Sequence, residues 1–364
     1  MSRYGKLILI VMVMVTLSIG MICQTEIAMA KDDVITLRFS SHMSPTNRQV
    51  SDVIKPYAKI VEEASGGRLK VKVFAGGVLH GPNDGFKACA TDITDFTHGY
   101  PAYVPGNFHL NHGPGLPFLF PNAYAGSLAT EEVYPKYLKK EYEAMGVYLM
   151  AFPATSNYQI LTKSKAVRSL EDMKGLKIRS PGGPANDLLT ALGAAPVSIP
   201  AVEAYTGLQT GLIDGVLTNP VDIISNRLYE IAKHLTKVDA SSVAIATCMN
   251  KKTYNALPKD LRLIVYNSNR KYPQLMAKVN EEGVMDSLAK YGVGLIDLSD
   301  KEKMRFREAV RKLGDKFIET NEAKGLPARE FMKELHAATK KYEKWTPEQI
   351  WEQVSKHPVQ GIND

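Results

Sequence analysis

Thr36 to Ser40 alternates apolar and polar side chains, the mark of a strand with one buried face. Ser41 to Asn47 then carries turn chemistry with Pro45, after which Val50, Val53, Ile54, Tyr57, Ile60 and Val61 recur at helical spacing. Ser65-Gly66-Gly67 closes that helix, and Leu69, Val71 and Val73 alternate with Lys70 and Lys72 as a second strand. Gly76-Gly77 ends it, a short helix near Asn83–Ala90 follows, and a third strand is expected around Ile93–Thr97. The chain therefore opens β-α-β-α-β, which predicts parallel strands with helices on the sheet faces.

Tyr100 to Phe120 is rich in Pro, Gly and aromatic residues and reads as loop. Helical spacing returns over Ala123–Met145, with strands expected at Val147–Phe152 and Gln159–Thr162. A second β/α unit follows: strand Leu176–Arg179, helix Ala185–Leu192, strand Val197-Ser198, helix Val202–Thr210 and strand Ile213–Leu217. Ser242–Met249 is a β-rich run able to cross back into the first unit. Asp260–Ala289 predicts one helix of about 45 Å at ~1.5 Å per residue, kinked at Pro273. Leu295-Ile296 suggests a last strand, and the remainder is charged amphipathic helix to Trp345, then a tail with Trp351.

Composition adds little until the first thirty residues are set aside. Arg3 and Lys6 precede an apolar run from Leu7 to Ile22, broken only by Thr16, Ser18 and Gly20, and Ala28-Met29-Ala30 supplies small residues for cleavage. This is the pattern of an export signal, too short for a spanning helix. It carries Arg3, Lys6 and Glu26, so its removal lowers the formal charge of the 364-residue chain from +7 to +6. The remaining charge is spread along the chain without a Lys/Arg block, which excludes a nucleic-acid footprint and weakly favours an anionic small ligand. Of the three cysteines, Cys89 and Cys248 remain, and an oxidising compartment would permit a bond between them.

Catalytic motifs are missing. There is no phosphate-binding loop, no G-x-G-x-x-G, no H-E-x-x-H, no C-x-x-C and no G-x-S-x-G. His109 and His112, with His98 nearby, sit in a Pro/Gly loop and read as solvated rather than metal-bound. No cofactor or metal is expected, and the balance leans toward binding rather than catalysis.

The informative block is Leu170–Pro220. It contains Glu171-Asp172-Met173-Lys174-Gly175-Leu176-Lys177-Ile178-Arg179-Ser180-Pro181, then Leu192-Gly193-Ala194-Ala195-Pro196, then Glu203 through Tyr205-Thr206-Gly207-Leu208-Gln209-Thr210-Gly211 to Asp214-Gly215. With Ser65–Val71 and Leu116-Pro117-Phe118-Leu119-Phe120, it resembles the solute-binding proteins of tripartite ATP-independent periplasmic (TRAP) transporters, C4-dicarboxylate-binding-like, over nearly the whole chain beyond residue 30. The resemblance implies an α/β, two-lobed periplasmic-binding-protein-like fold (type II-like), with mixed sheets flanked by helices and a long kinked helix spanning both lobes. On that basis 1–30 is the signal peptide, 31–154 plus about 242–272 the first lobe, and 155–241 plus about 273–320 the second. Residues 321–364 form C-terminal helices packed on the lobes. The implied protein is a periplasmic monomer that captures an organic acid by hinge closure. It delivers the acid to TRAP membrane subunits, small and large or fused.

The same resemblance makes Arg179 the residue that grips the ligand carboxylate, for which a guanidinium fork is geometrically suited. Read without it, Arg179 is a surface or inter-domain arginine paired with Glu171 or Asp172. Asn219-Pro220 resembles the family's Asn-Pro, although one extra residue separates it from Asp214-Gly215; Asn219 otherwise reads as the N-cap of a helix at Asp222–Leu228. Gln159 stands where many relatives have a second arginine, which points to a monocarboxylate with an apolar or aromatic body rather than a dicarboxylate. Ser41, His42, His98, Tyr100, Tyr103, Tyr158 and Tyr205 complete the candidate ligand contacts. Other readings are a binding protein of the same fold serving a sensor, a C4-dicarboxylate binder, an ABC-type binding protein, or an exported enzyme acting on a small acid.

Overall fold

The computed structural model describes residues 34–356, so the expected signal segment lies outside the described residues. The chain first lays down β1 (Ile35–Ser40), β2 (Leu69–Phe74), β3 (Phe96–Gly99) and β4 (Val147–Ala151). It crosses to a second sheet for β5 (Gln159–Thr162), β6 (Lys177–Ser180), β7 (Ala195–Ser198), β8 (Gly215–Thr218) and β9 (His234–Lys237). It then returns for β10 (Ala246–Asn250) and crosses again for β11 (Gly294–Asp297).

The first sheet runs β2-β1-β3-β10-β4 and the second β11-β9-β5-β8-β6-β7. β1 is parallel to β2 and β3, while β10 pairs antiparallel with β3 and β4. In the second sheet β6 is parallel to β7 and β8, and β5 is antiparallel to β8 and β9. The two-lobed α/β class expected from the sequence is present. The alternation in β1 buries Leu37 and Phe39, which pack with Tyr57 and Val61 of the helix Lys55–Ala64.

Two crossing segments lie side by side as an antiparallel ladder. Tyr158 N donates to Ser241 O (2.6 Å), Ala240 N to Tyr158 O (3.1 Å), Thr155 N to Val243 O (3.1 Å) and Ile245 N to Pro153 O (2.9 Å). Such a ladder can twist while keeping its bonds, as a hinge requires.

Several elements differ in their bounds from the sequence reading. The third strand starts at Phe96, and the Asp95 carboxylate just before it accepts from Arg38 backbone N (2.8 Å) and Nε (2.9 Å). The expected single helix over 260–289 is instead Lys259–Asn269, Tyr272–Glu281 and the short Val284–Ser287. Arg270, in the break, is buried and ion-paired with Glu131 of the helix Ala123–Tyr137. Pro273 sits in the first turn of the second helix, where its missing N–H costs nothing. That helix packs against Ala123–Tyr137 and Val50–Ile54 of the first lobe and Pro220–Ser225 of the second. Cys89 and Cys248 are both buried and free.

Candidate functional site

Arg179 is the third residue of β6, and its side chain is among the largest fully buried ones, at 1% exposure. The sequence explains the placement: Lys177 and Arg179 share one sheet face, but Lys177 lies at the strand's exposed start, where its Nζ donates to Gly211 O (2.8 Å). The Arg179 Nε donates to Ile199 O (2.8 Å), Nη1 to Leu217 O (3.5 Å) and Nη2 to the Tyr103 hydroxyl (3.3 Å). A guanidinium has five N–H donors, so one on each terminal nitrogen is left over for a ligand. Burying a cation is costly unless an anion lies near it.

Tyr103 comes from the other lobe, in the turn Pro101–Tyr103 after β3. Its hydroxyl also accepts from Ala201 N (3.1 Å), and its ring stacks on Tyr100 with centroids 4.9 Å apart. The Tyr100 hydroxyl donates to Gln49 Oε1 (3.2 Å). The lobes touch closely here. Gly182, just past β6, has φ +99°, and a Cβ there would lie 2.7 Å from Ala102 O, so only glycine fits. Arg179 and Tyr103 thus join the two lobes in a closed arrangement.

His42, in the loop after β1, stands against both tyrosine rings at 5.4 and 6.2 Å between centroids. Neither ring nitrogen has a protein partner. Burial, helped by the nearby His80, pulls its pKa down to about 4, so the ring is neutral and presents one donor and one acceptor. Tyr158 completes the wall from the crossing segment; burial raises its hydroxyl pKa, and its partners there include Asn219, Asp222 and Arg179.

Asn219 directly follows β8 and caps the helix Pro220–Ser225, its Oδ1 accepting from Asp222 N (2.9 Å). Its Nδ2 donates to Asp222 Oδ2 (3.0 Å). The N-cap reading of Asn219 is therefore present in the structure, with the helix running to Ser225 rather than Leu228. Asp222 is the residue that the sequence reading missed. An acid three positions after an N-cap asparagine looks like ordinary helix capping. Here it is buried instead, its pKa raised to about 6 by burial against the opposing pull of Arg179, Asn219 and Thr218. Neither its Oδ1 nor the neighbouring Thr218 hydroxyl makes a hydrogen bond within 3.5 Å, although Thr218 lies near enough to favour the ionised carboxyl.

Four candidates lie apart from this cluster. Gln159 is buried with both ends of its amide engaged: Oε1 accepts from Val238 N (2.8 Å) and Asp239 N (3.0 Å), while Nε2 donates to Asp239 Oδ1 (2.7 Å) and Asn157 O (3.1 Å). It clasps the two crossing segments rather than facing Arg179. Strand alternation explains this, since Tyr158 and Gln159 must point to opposite sides. Ser41 Oγ accepts from Met43 N (3.2 Å) within its own turn. His98 is core, edge-on to Phe39 and hydrogen-bonded to the Tyr272 hydroxyl. Tyr205 is half-exposed, its hydroxyl donating to Glu230 (2.9 Å). Among the described residues no group of three or more His, Cys, Asp or Glu side chains could hold a metal ion.

Residues 39–321 match the family model described as "Bacterial extracellular solute-binding protein, family 7". The chain belongs to this family. A curated "Solute-binding protein" from Albidiferax ferrireducens is 29% identical over 269 residues, covering 71% of this chain and 78% of the relative. The C4-dicarboxylate-binding periplasmic protein DctP of Rhodobacter capsulatus is 22% identical over 291 residues, 78% of this chain and 87% of that protein. Among solved structures, a TRAP periplasmic solute-binding protein from Bordetella bronchiseptica with bound (R)- and (S)-mandelate has a TM-score of 0.78 at 29% identity. It matches over 84% of this chain and 99% of its own. A TRAP solute-binding protein from Rhodoferax ferrireducens with copurified benzoate has a TM-score of 0.80 at 24% identity, covering 85% and 99%. This family member is a solute-binding protein of the TRAP transport class. Its family is extracytoplasmic, and among the described residues no helix is long and apolar enough to cross a membrane.

Proposed function

We propose that this protein captures a monocarboxylate with an apolar or aromatic body, holding its carboxylate on Arg179 as the lobes close, and passes it to TRAP membrane subunits. The observation that carries the reading is the wholly buried Arg179 with an uncommitted N–H on each terminal nitrogen, walled by Tyr100, Tyr103 and Tyr158. Tyrosines offer ring faces to a planar body and hydroxyls to its polar edge. The Bordetella relative's mandelate is an acid of this kind. The protein acts without turnover, in the periplasm after signal cleavage, and as a monomer.

Among the described residues, the side chains that meet Arg179 bring no second cation, and the carboxyl group of Asp222 already acts on it. A dicarboxylate would set at least two carboxylates against one guanidinium in a closed site, even with Asp222 neutral, which is costly. Gln159 no longer carries this argument, because its amide belongs to the hinge.

Native mass spectrometry of the purified protein tests for a co-purified acid, and a thermal-shift screen follows with mandelate, benzoate and succinate. Saturation at 100 times Kd adds ~2.7 kcal/mol of stability. A clear rise in Tm with monocarboxylates is expected. Stabilisation by succinate with none from any monocarboxylate would overturn the assignment, and steady product formation from any of the acids would overturn the absence of turnover.

A further inference from the structure

We propose that the site takes up a proton together with its acid, and that Asp222 carries this proton. The inference rests on Arg179 being the carboxylate's partner. Among the described residues, the closed site holds one cation, Arg179, and one buried carboxyl group, Asp222, both beneath the tyrosine wall. One oxygen of Asp222 is engaged, accepting from Asn219 Nδ2, while Oδ1 is buried and unpartnered. A ligand carboxylate on Arg179 introduces a second anion where water cannot screen it. Two carboxylates sharing one such site do not both stay ionised. A proton on Asp222 removes the excess charge and turns Oδ1 into a donor that can face an oxygen of the ligand. Arg179 holds the ligand's own carboxylate in its ionised form, so the proton settles on the carboxyl without a guanidinium fork.

The surroundings single out Asp222. Arg179 is the charged side chain acting on it, and Tyr100, Tyr103 and Tyr158 sense its charge from the facing loop and crossing segment. Ionisable groups on elements packed against its helix are engaged elsewhere. Glu281 accepts from Ala123 N (2.7 Å), Glu230 pairs with Arg227 and Tyr205, and Lys278 lies 4.0 Å from Glu282. Asp286 is exposed. Ligand-free, Asp222 is already poised near neutrality, with burial lifting its pKa to about 6. His42 is the other titratable group at the wall, and it is the competing proton acceptor.

Isothermal titration calorimetry in two buffers of different ionisation heat measures the proton count directly. The probe is mandelate, or the monocarboxylate giving the largest thermal shift; a screen in which none binds overturns both readings. At pH 7.5 the unaltered protein is expected to take up close to one proton per acid, falling toward zero below about pH 5. Its affinity should weaken by up to ~10-fold per pH unit above pH 7. Asp222→Asn, which keeps size and hydrogen bonding, should show no uptake and a flat profile. Zero uptake in the unaltered protein at pH 7.5 overturns the proposal without needing any variant. Uptake that persists in Asp222→Asn also overturns it and assigns the proton to His42. Loss of affinity in Arg179→Lys without proton uptake in the parent would sink this inference alone; unchanged affinity in Arg179→Lys would sink the carboxylate reading beneath it.

Discussion

Replacing Arg179 is the sharpest perturbation of the site. The residue is 1% exposed, donates to two backbone carbonyls and the Tyr103 hydroxyl, and under the proposed function offers its two remaining N–H groups to the ligand. A hydrogen bond to a charged group contributes ~1.5–3 kcal/mol, so two such bonds contribute ~3–6 kcal/mol to binding. Part of that loss is recovered in Arg179→Ala, because without the cation Asp222 is protonated before the acid arrives and binding no longer has to bring a proton. A net loss of about 3 kcal/mol is expected, or roughly a hundredfold in Kd. Arg179→Lys keeps the charge but cannot form the fork or reach Ile199 O and Tyr103 together, so it should fall within ~10-fold of the alanine variant. Calorimetric titration with mandelate measures both, and thermal melts of the ligand-free variants check that each is folded. Folded variants binding within threefold of the parent would refute the reasoning, since no buried fork would then be holding the carboxylate.

Gln159→Ala strips partners from Val238 N and Asp239 N, each costing ~1–3 kcal/mol if left unsatisfied, so ligand-free stability should drop by ~2–4 kcal/mol in urea titration. An unchanged midpoint would mean that the clasp between the crossing segments is dispensable. Tyr205→Phe removes only a surface bond to Glu230, and Kd should move less than ~2-fold with stability within ~0.5 kcal/mol; a tenfold loss of affinity would return Tyr205 to the site. Asp222, raised to about 6 from an ordinary 3.8, stabilises the fold below pH 3.8, and this contribution is lost as pH rises through about 6. Asp222→Asn should therefore make the ligand-free protein more stable at pH 7.5, by up to ~3 kcal/mol in urea titration; equal or lower stability would contradict the burial argument. His42 and His98 carry the opposite sign. Burial lowers them from 6.5 to about 4 and about 3, so their contribution is full above pH 6.5 and lost as pH falls through those values. Tm should decline from pH 6.5 to 4, more steeply in Asp222→Asn, and a flat acid limb there would show that the two histidines charge without cost.

The chain's own pattern was enough for every strand but β9 (His234–Lys237), for the β-α-β opening and for the position of Arg179 at the end of a strand. Alternation and helical spacing act over a few residues, and they decide which face of each element is apolar. The same local logic overran at 260–289, where spacing suggested one helix. A buried pairing of Arg270 with Glu131, far away in sequence, helps hold the break instead. Strand order and the ladder between the two crossings depend on pairings between distant segments, which no local pattern encodes.

Side-chain roles at the site divide in the same way. Residue type made Arg179 a natural carboxylate partner, while Tyr158 and Gln159 looked equally suited to the cleft until the pleat of the chain sent one inward and the other into the hinge. Asp222 had the sequence of a helix cap. Its burial, its unpartnered oxygen and its raised pKa arise only when β6, β8 and the tyrosine loop of the opposite lobe close around it. Sequence thus determined which groups exist and what each can donate or accept. Tertiary structure alone decided which of them are dry and near one another, because desolvation and charge proximity are properties of assembled space rather than of chain order.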